Sequence, residues 1–371
     1  MTILKQIPFF DYKIFANRYG DKLAAVFRDV MNRGAFILQK DVSDFEQSIA
    51  KYLNVKHAIA VANCTDGLIL ALRAAGIKKG DEVILPSHTF IATAASVHFL
   101  EATPVLVECA KDHMIDPVAI EKAITKNTKA IMPVQLNGRT CNMDKIMSIA
   151  KKYNLLVIED AAQALGSKFK DKCAGTFGLA GAISFYPAKI LGCLGDGGIV
   201  ITSDDQIAET IFALHEHGRN KDGKVIGWGM NSRLDNLQAA FLNVVFQEYD
   251  TIVNRRREIA VLYQKYLSAI SQLLLPPAPN SDPNHFDVYQ NYEIEAENRD
   301  QLQEYLKKSG IGTFRQWGGN TVHQLPGLGF NLNLPKTDQM MAKELMLPMN
   351  MSLSNDDVLY ICETITAFYK N

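Results

Sequence analysis

AISFYPAKILGCLGDGGIV, residues 182–200, places an apolar run directly before a lysine and a loop with four glycines. The run reads as a buried strand, and Pro187 ends it. Lysine is rarely buried without a partner, so Lys189 at a strand end beside small residues asks for a chemical reason. Upstream, the same grammar repeats. HAIAVAN (57–63), EVILP (82–86), TPVLVE (103–108), TKAIMPVQ (128–135) and LLVIED (155–160) are short apolar runs. Helical patterns separate them, including DVSDFEQSIAKYL (41–53), DGLILALRAAG (66–76), ATAASVHFLEA (92–102) and MDKIMSIAKKY (143–153). This alternation predicts an α/β fold with a mostly parallel sheet flanked by helices. Ligands of such sheets collect at the carboxyl ends of the strands.

The second half reads differently. LDNLQAAFLNVVFQEYDTIVNRRREIAVLYQKYLSAI (234–270) is a long helical pattern without proline, followed by the break LPPAPNSDPNH (275–285). The rest reads as a smaller C-terminal α+β unit. The expected division is 1–245 for the large unit, with its N-terminal segment, and 246–371 for the small one.

Bulk properties exclude several classes. The 371 residues carry a formal net charge of −1, with 47% hydrophobic and 21% charged residues. That is a globular composition with no overall field toward nucleic acid or an anionic membrane. Neither partner is expected. The six cysteines (64, 109, 141, 173, 193, 362) lack metal-ligand spacing and read as free thiols. No metal site is expected. Without a secretory leader pattern or a long apolar span, the expected location is the cytoplasm.

The strand ends carry the chemistry. CTDG (64–67) follows the first run, SHTF (87–90) the second, Asp160 closes the fifth, and Lys189 follows SFYPA. A lysine amine can form a Schiff base with an aldehyde cofactor. Pyridoxal phosphate would also need an acid for its ring nitrogen, which Asp160 can supply. Its phosphate would need backbone amides at a helix start, here Thr65 and Asp66, with Ser184 as a hydroxyl donor. Phe90 suits the ring face. Singly, each residue has an ordinary reading: a solvated lysine, a helix-capping acid, an N-cap, a core aromatic. Their joint order is what carries weight.

That order resembles the DegT/DnrJ/EryC1/StrS sugar aminotransferases, fold type I enzymes of pyridoxal phosphate. VANCTDGLILAL (61–72), GDEVILPSHTFIATAASV (80–97), VIEDAAQALGS (157–167), SFYPAKILGCLGDGG (184–198) and GMNSRLDNLQAAFL (229–242) carry the likeness across nearly the whole chain. The resemblance implies Lys189 as the Schiff-base lysine and Asp160 as the partner of the ring nitrogen. It implies Gln163, about one helical turn on, as the partner of the ring hydroxyl, with Ser184 on the phosphate and Phe90 against the ring. Asn231 would reach the phosphate of a neighbouring subunit, which implies a homodimer with shared active sites. Lysine at 189, where a dehydrating branch carries histidine, implies transamination from L-glutamate to a ketosugar.

Departures bear on the substrate. TFRQWGGNTVHQLPG (313–327) differs from the family's usual sugar-facing segment. Arg315, Trp317 and His323 are the substrate candidates there. Arg315 would suit a free acidic ketosugar, whereas Arg219, with Lys221 and Lys224, would suit a nucleotide diphosphate. A non-catalytic regulatory homologue is the remaining reading, and the intact Lys189, Asp160, Gln163 and Ser184 weigh against it.

Overall fold

The computed structural model describes residues 5–370; residues 1–4 and 371, at the outer ends of the two expected units, lie outside the described residues. The apolar runs become β1 (His57–Val61), β2 (Glu82–Pro86), β3 (Thr103–Val107), β4 (Thr128–Ile131) and β5 (Leu156–Asp160). Two short strands follow, β6 (Lys168–Phe169) and β7 (Lys172–Cys173), then β8 (Ala180–Ser184) and β9 (Gly198–Thr202). The main sheet has seven strands in the order β1-β9-β8-β5-β4-β2-β3. Only β9 runs against its neighbours; every other pairing is parallel. The carboxyl ends of β1, β2, β4, β5 and β8 therefore share one rim.

Helices cover both faces. The period-two alternation of the strands decides which residue meets which layer. In β9, Ile199 and Ile201 pack with α1 (Lys13–Arg33), α2 (Lys40–Leu53) and α8 (Asn236–Phe246). Val200, between them, packs on the other face with α3 (Cys64–Ala74), α4 (Ile91–His98) and α7 (Asp205–His215). Helices α5 (Pro117–Ala123) and α6 (Met143–Tyr153) cover β2, β4 and β5 through Ile84, Ile131 and Val157. Helix α3 is buried along most of its length, and Leu68, Leu70 and Leu72 contribute roughly 1.5–3 kcal/mol each by leaving water. Its start is fixed by close backbone approach. A Cβ on Gly198 would lie 2.5 Å from the carbonyl carbon of Asn63. Glycine there lets β9 begin against the first turn of α3.

A three-stranded antiparallel sheet lies in the second half, formed by β10 (Leu273–Leu274), β12 (Tyr292–Ala296) and β13 (Glu344–Leu347). It shares a core with α9 (Tyr249–Leu267), α10 (Arg299–Lys308) and α12 (Asn355–Lys370). The strand β11 (His285–Phe286) pairs back onto β6, and α11 (Pro335–Lys343) leads into β13. Ile7 bridges to Ile311.

Two expectations need correction. The helical pattern 234–270 is two helices, α8 and α9, broken at Gln247–Glu248. No proline or glycine marks the break. Glu248 instead leaves helical geometry and accepts from Arg18 at 2.7 Å, a partner 230 residues away. Gln163 is not one helical turn beyond Asp160, because the chain after β5 runs through tight turns rather than a helix. Among the described residues, no helix is long and apolar enough to cross a membrane.

Candidate active site

The shared rim opens into a pocket of about 840 Å³. Asp160, the last residue of β5, enters it from the sheet and is only 5% exposed. Thr93 of α4 donates to Asp160 Oδ2 at 2.7 Å, and the Ala162 amide donates to Oδ1 at 3.1 Å. Burial pushes the carboxyl up from its ordinary value; these two donors and the Lys189 charge oppose that. Lys189 faces it from the loop after β8, half-buried, and burial pulls its amine down while Cys64 and Asp160 pull the other way. Burial thus pushes both groups toward their neutral forms, and the charge of each opposes that shift in the other.

The other expected cofactor residues divide. Thr65, Phe90, Gln163 and Ser184 line the pocket with Lys189 and Asp160. Gln163 Oε1 accepts from the Asn137 amide at 2.7 Å, which fixes its orientation. Asp66 does not line the pocket, and its amide donates to Asn63 Oδ1 at 2.8 Å as the N-cap of α3. Among the described residues, the Thr65 amide, like that of Cys64, has no acceptor, so it is open at this helix start whereas the Asp66 amide is taken. Asn231 is exposed and bridges to Glu216, outside its own chain's pocket.

Sequence reading missed a buried polar cluster behind the pocket wall. His88 Nε2 lies 3.0 Å from Glu293 Oε1, and His113 Nδ1 lies 3.4 Å from Glu293 Oε2. His113 Nε2 meets Glu295 at 3.1 Å. Burial disfavours charge on His113, but Glu293 and Glu295 outweigh it and hold the imidazolium up to about 10. Burial likewise opposes charge on Glu293, and the two histidines overcome it, keeping this carboxyl well below the usual range. The residues come from the loop after β2, the loop after β3, and β12, so no local motif announced them.

This predicts a pH signature. A group whose folded pKa is raised stabilises fully below its unfolded value, near 6.5, and loses that contribution as pH rises through the folded value. The stability gap between the native protein and His113→Gln is therefore widest near pH 6. It narrows by up to ~1.4 kcal/mol per pH unit on the way to pH 10. Chemical denaturation at several pH values measures it; a gap independent of pH would contradict the charged pair.

Comparison with known proteins places this site in a family. The family model of the DegT/DnrJ/EryC1/StrS aminotransferases matches residues 18–366. The chain belongs to that aminotransferase family. A Geobacillus stearothermophilus relative named "Pleiotropic regulatory protein" is 38% identical, over 98% of this chain and 99% of its own. The Pseudomonas aeruginosa UDP-2-acetamido-2-deoxy-3-oxo-D-glucuronate aminotransferase is 35% identical, over 97% and 99%. The crystal structure of S. venezuelae DesV in complex with a ketimine intermediate superimposes with a TM-score of 0.94 at 34% identity, covering 99% of both chains.

Within this aminotransferase fold, the substrate candidates do not stay together. Trp317 lines the pocket, edge-on to His88 at 4.9 Å between ring centres. Arg315, proposed to clamp a carboxylate, does not reach it. Its Nη2 pairs with Asp300 at 2.9 Å and its Nε donates to Gln303 at 2.7 Å, both on α10. His323 is also turned away: Nδ1 meets Ser87 Oγ at 2.6 Å and Nε2 meets Asp338 at 3.1 Å. Arg219 lies outside the pocket of its own chain, on the exposed stretch 219–228.

Proposed function

We propose that this family member is a pyridoxal phosphate-dependent transaminase. It moves the amino group of L-glutamate onto a nucleotide-linked ketosugar, making an aminosugar for a surface polysaccharide, lipopolysaccharide or other glycoconjugate. The observation that carries the reading is the meeting of Lys189 and Asp160 in one deep pocket, each pushed toward neutrality by burial. The residues present fit the cofactor: one pocket is lined by the Lys189 amine, the buried Asp160 carboxylate, the open helix-start amide of Thr65 and the Ser184 hydroxyl. When bound, the cofactor supplies the electron sink that lets the α-proton of the donor leave.

The chain's own residues then have distinct tasks. Lys189 would hold the cofactor's aldehyde carbon through its amine, and as a free amine it would carry the substrate's α-proton. Burial lowers its affinity for protons, which suits a base that must work near neutrality. Asp160, oriented by Thr93 and Ala162, holds the positive charge of the ring nitrogen. Gln163, oriented by the Asn137 amide, meets the ring hydroxyl. Ser184 and Thr65 hold the phosphate, and Phe90 packs on the ring.

A cytoplasmic homodimer accompanies this reading, with residues 1–245 as the cofactor-binding unit and 246–371 as the smaller unit. The break between α8 and α9 supports the division. The exposed segment around Val225, Ile226 and Trp228 supports the dimer, because Trp228 is 90% exposed and such apolar patches mark protein contacts. In a dimer this segment would carry Asn231 and Arg219 toward the second copy's pocket.

A spectroscopic titration tests the function. The purified protein with cofactor is yellow, bleaches with L-glutamate, and recovers its colour when a nucleotide-linked ketosugar is added. Recovery only with a free acidic ketosugar would replace the acceptor class; Arg315, held by Asp300, weighs against that outcome. No response to glutamate would favour a regulatory role like the name of the Geobacillus relative.

A further inference from the structure

Lys189 lies in a run of turns between β8 and β9, so neither a ladder nor a helix fixes its backbone. Two peptide groups flank it. The first joins Ala188 to Lys189, and its N–H donates to Tyr186 O at 2.8 Å. Its carbonyl, on Ala188, accepts from Gln290 Nε2 at 2.9 Å. The second joins Lys189 to Ile190, and its N–H donates to Gln290 Oε1, also at 2.9 Å. One carboxamide, 100 residues beyond Ile190, thus bridges the chain across the lysine. Its orientation is forced, because a carbonyl can only accept and an amide N–H can only donate. Gln290 is 7% exposed and lines the pocket beside Ala188 and Lys189. Among the described residues, no other side chain bonds these two peptide groups.

The backbone of Gln290 is held in turn. Arg256 of α9 is buried, and its Nη1 donates to Tyr289 O at 3.0 Å and to Gln290 O at 3.1 Å. The turn at Gly138 meets the same segment backbone to backbone. The Val288 amide donates to Gly138 O at 2.8 Å, and a Cβ on Gly138 would lie 2.6 Å from Gln290 N. Tyr289 sits in the left-handed region at a φ of 51°, and its hydroxyl donates to Pro277 O at 2.7 Å. A buried guanidinium and a left-handed tyrosine are both unfavourable in themselves. Both fix the place from which Gln290 reaches the lysine loop. We propose that Gln290 is the positioning residue of Lys189, with Arg256 as its anchor. By holding both flanking peptide groups, it keeps the root of the lysine side chain still, so that the amine moves only through its own torsions. A misplacement of about 1 Å at a reacting group can cost about 10²-fold in rate. The effect on rate rests on the proposed transaminase reading; the clamp on the loop does not.

Two variants test it. Gln290→Met keeps the length of the side chain and removes both hydrogen bonds. Gln290→Glu keeps the acceptor for Ile190 and loses the donor to Ala188. Hydrogen exchange in the cofactor-free proteins reads the clamp directly. The Ile190 amide is expected to exchange at least about 10-fold faster in Gln290→Met, while that of Ile201 in β9 is unmoved. In Gln290→Glu it is expected to stay within about 3-fold of native. The glutamate half-reaction, followed by absorbance and counted per cofactor-loaded site, is expected to fall about 10–10²-fold in kcat in both variants, with KM within about 3-fold. A role confined to stability would lower the loaded fraction and leave the per-site kcat in place. Unchanged exchange at Ile190 in Gln290→Met, or a per-site kcat within about 2-fold of native in either variant, overturns the proposal. If Gln290→Met does not fold, Gln290→Glu carries the rate measurement. Failure of the glutamate half-reaction in the native enzyme overturns the transaminase reading itself, and the exchange at Ile190 still decides the clamp.

Discussion

Lys189→Ala retains its fold, stays colourless with added pyridoxal phosphate, and loses at least about 10³-fold in transamination rate. The loss combines two tasks in one amine, attachment of the cofactor and movement of the substrate proton. The stability consequence has the opposite sign. In the empty protein, burial disfavours the charged amine, so the folded chain bears a desolvation cost at this position. Removing the amine relieves it. The melting temperature of the cofactor-free alanine protein is therefore expected to equal or exceed that of the native cofactor-free protein. Calorimetry and absorbance on the same samples read both effects. A yellow alanine protein, or one active within about 10-fold of native, would remove Lys189 from the centre of the site.

Asp160→Asn should lower the rate by about 10²–10³-fold while leaving the pocket's shape in place. Asparagine is nearly isosteric, and its oxygen can still accept from either Thr93 or the Ala162 amide. What it lacks is the negative charge that balances the ring nitrogen and opposes the loss of the Lys189 proton. Two readouts separate charge from packing. The affinity for the cofactor should fall, and the pH at which the visible band of the bound cofactor titrates should shift. Asp160→Glu, which keeps the charge but not the length, is expected to recover part of the rate. An asparagine variant of native rate and unchanged titration would show that the carboxylate acts only as a packing group.

The strand ends explain why so much of this site could be read without coordinates. Asp160, Ser184 and the loop to Lys189 lie on or just past a strand, and a parallel sheet gathers such positions onto one rim whatever its strand order. Thr65 opens a helix whose capping signal is local. Apolar runs and helical spacing are properties of neighbours in sequence, so the α/β character and the main strands were legible. The break at Glu248 was not, because no proline or glycine marks it and the partner of Glu248, Arg18, lies on another helix.

The buried polar cluster behind the pocket shows the limit most clearly. His88, His113, Asn137 and Glu293 come from four separated segments, and none carries a signal at its own place in the chain. Sequence singled out Arg315 for its charge, yet α10 captures that charge through Asp300 and Gln303. It passed over Gln316, its immediate neighbour, whose buried side chain donates to Asn137 Oδ1 at 2.9 Å. The sequence by itself determined the sheet, the rim and the amine–carboxylate pair, because each follows from local pattern and strand direction. Tertiary structure alone decided which polar side chains pair with one another, because a hydrogen bond between distant segments depends on distance and direction that no spacing encodes.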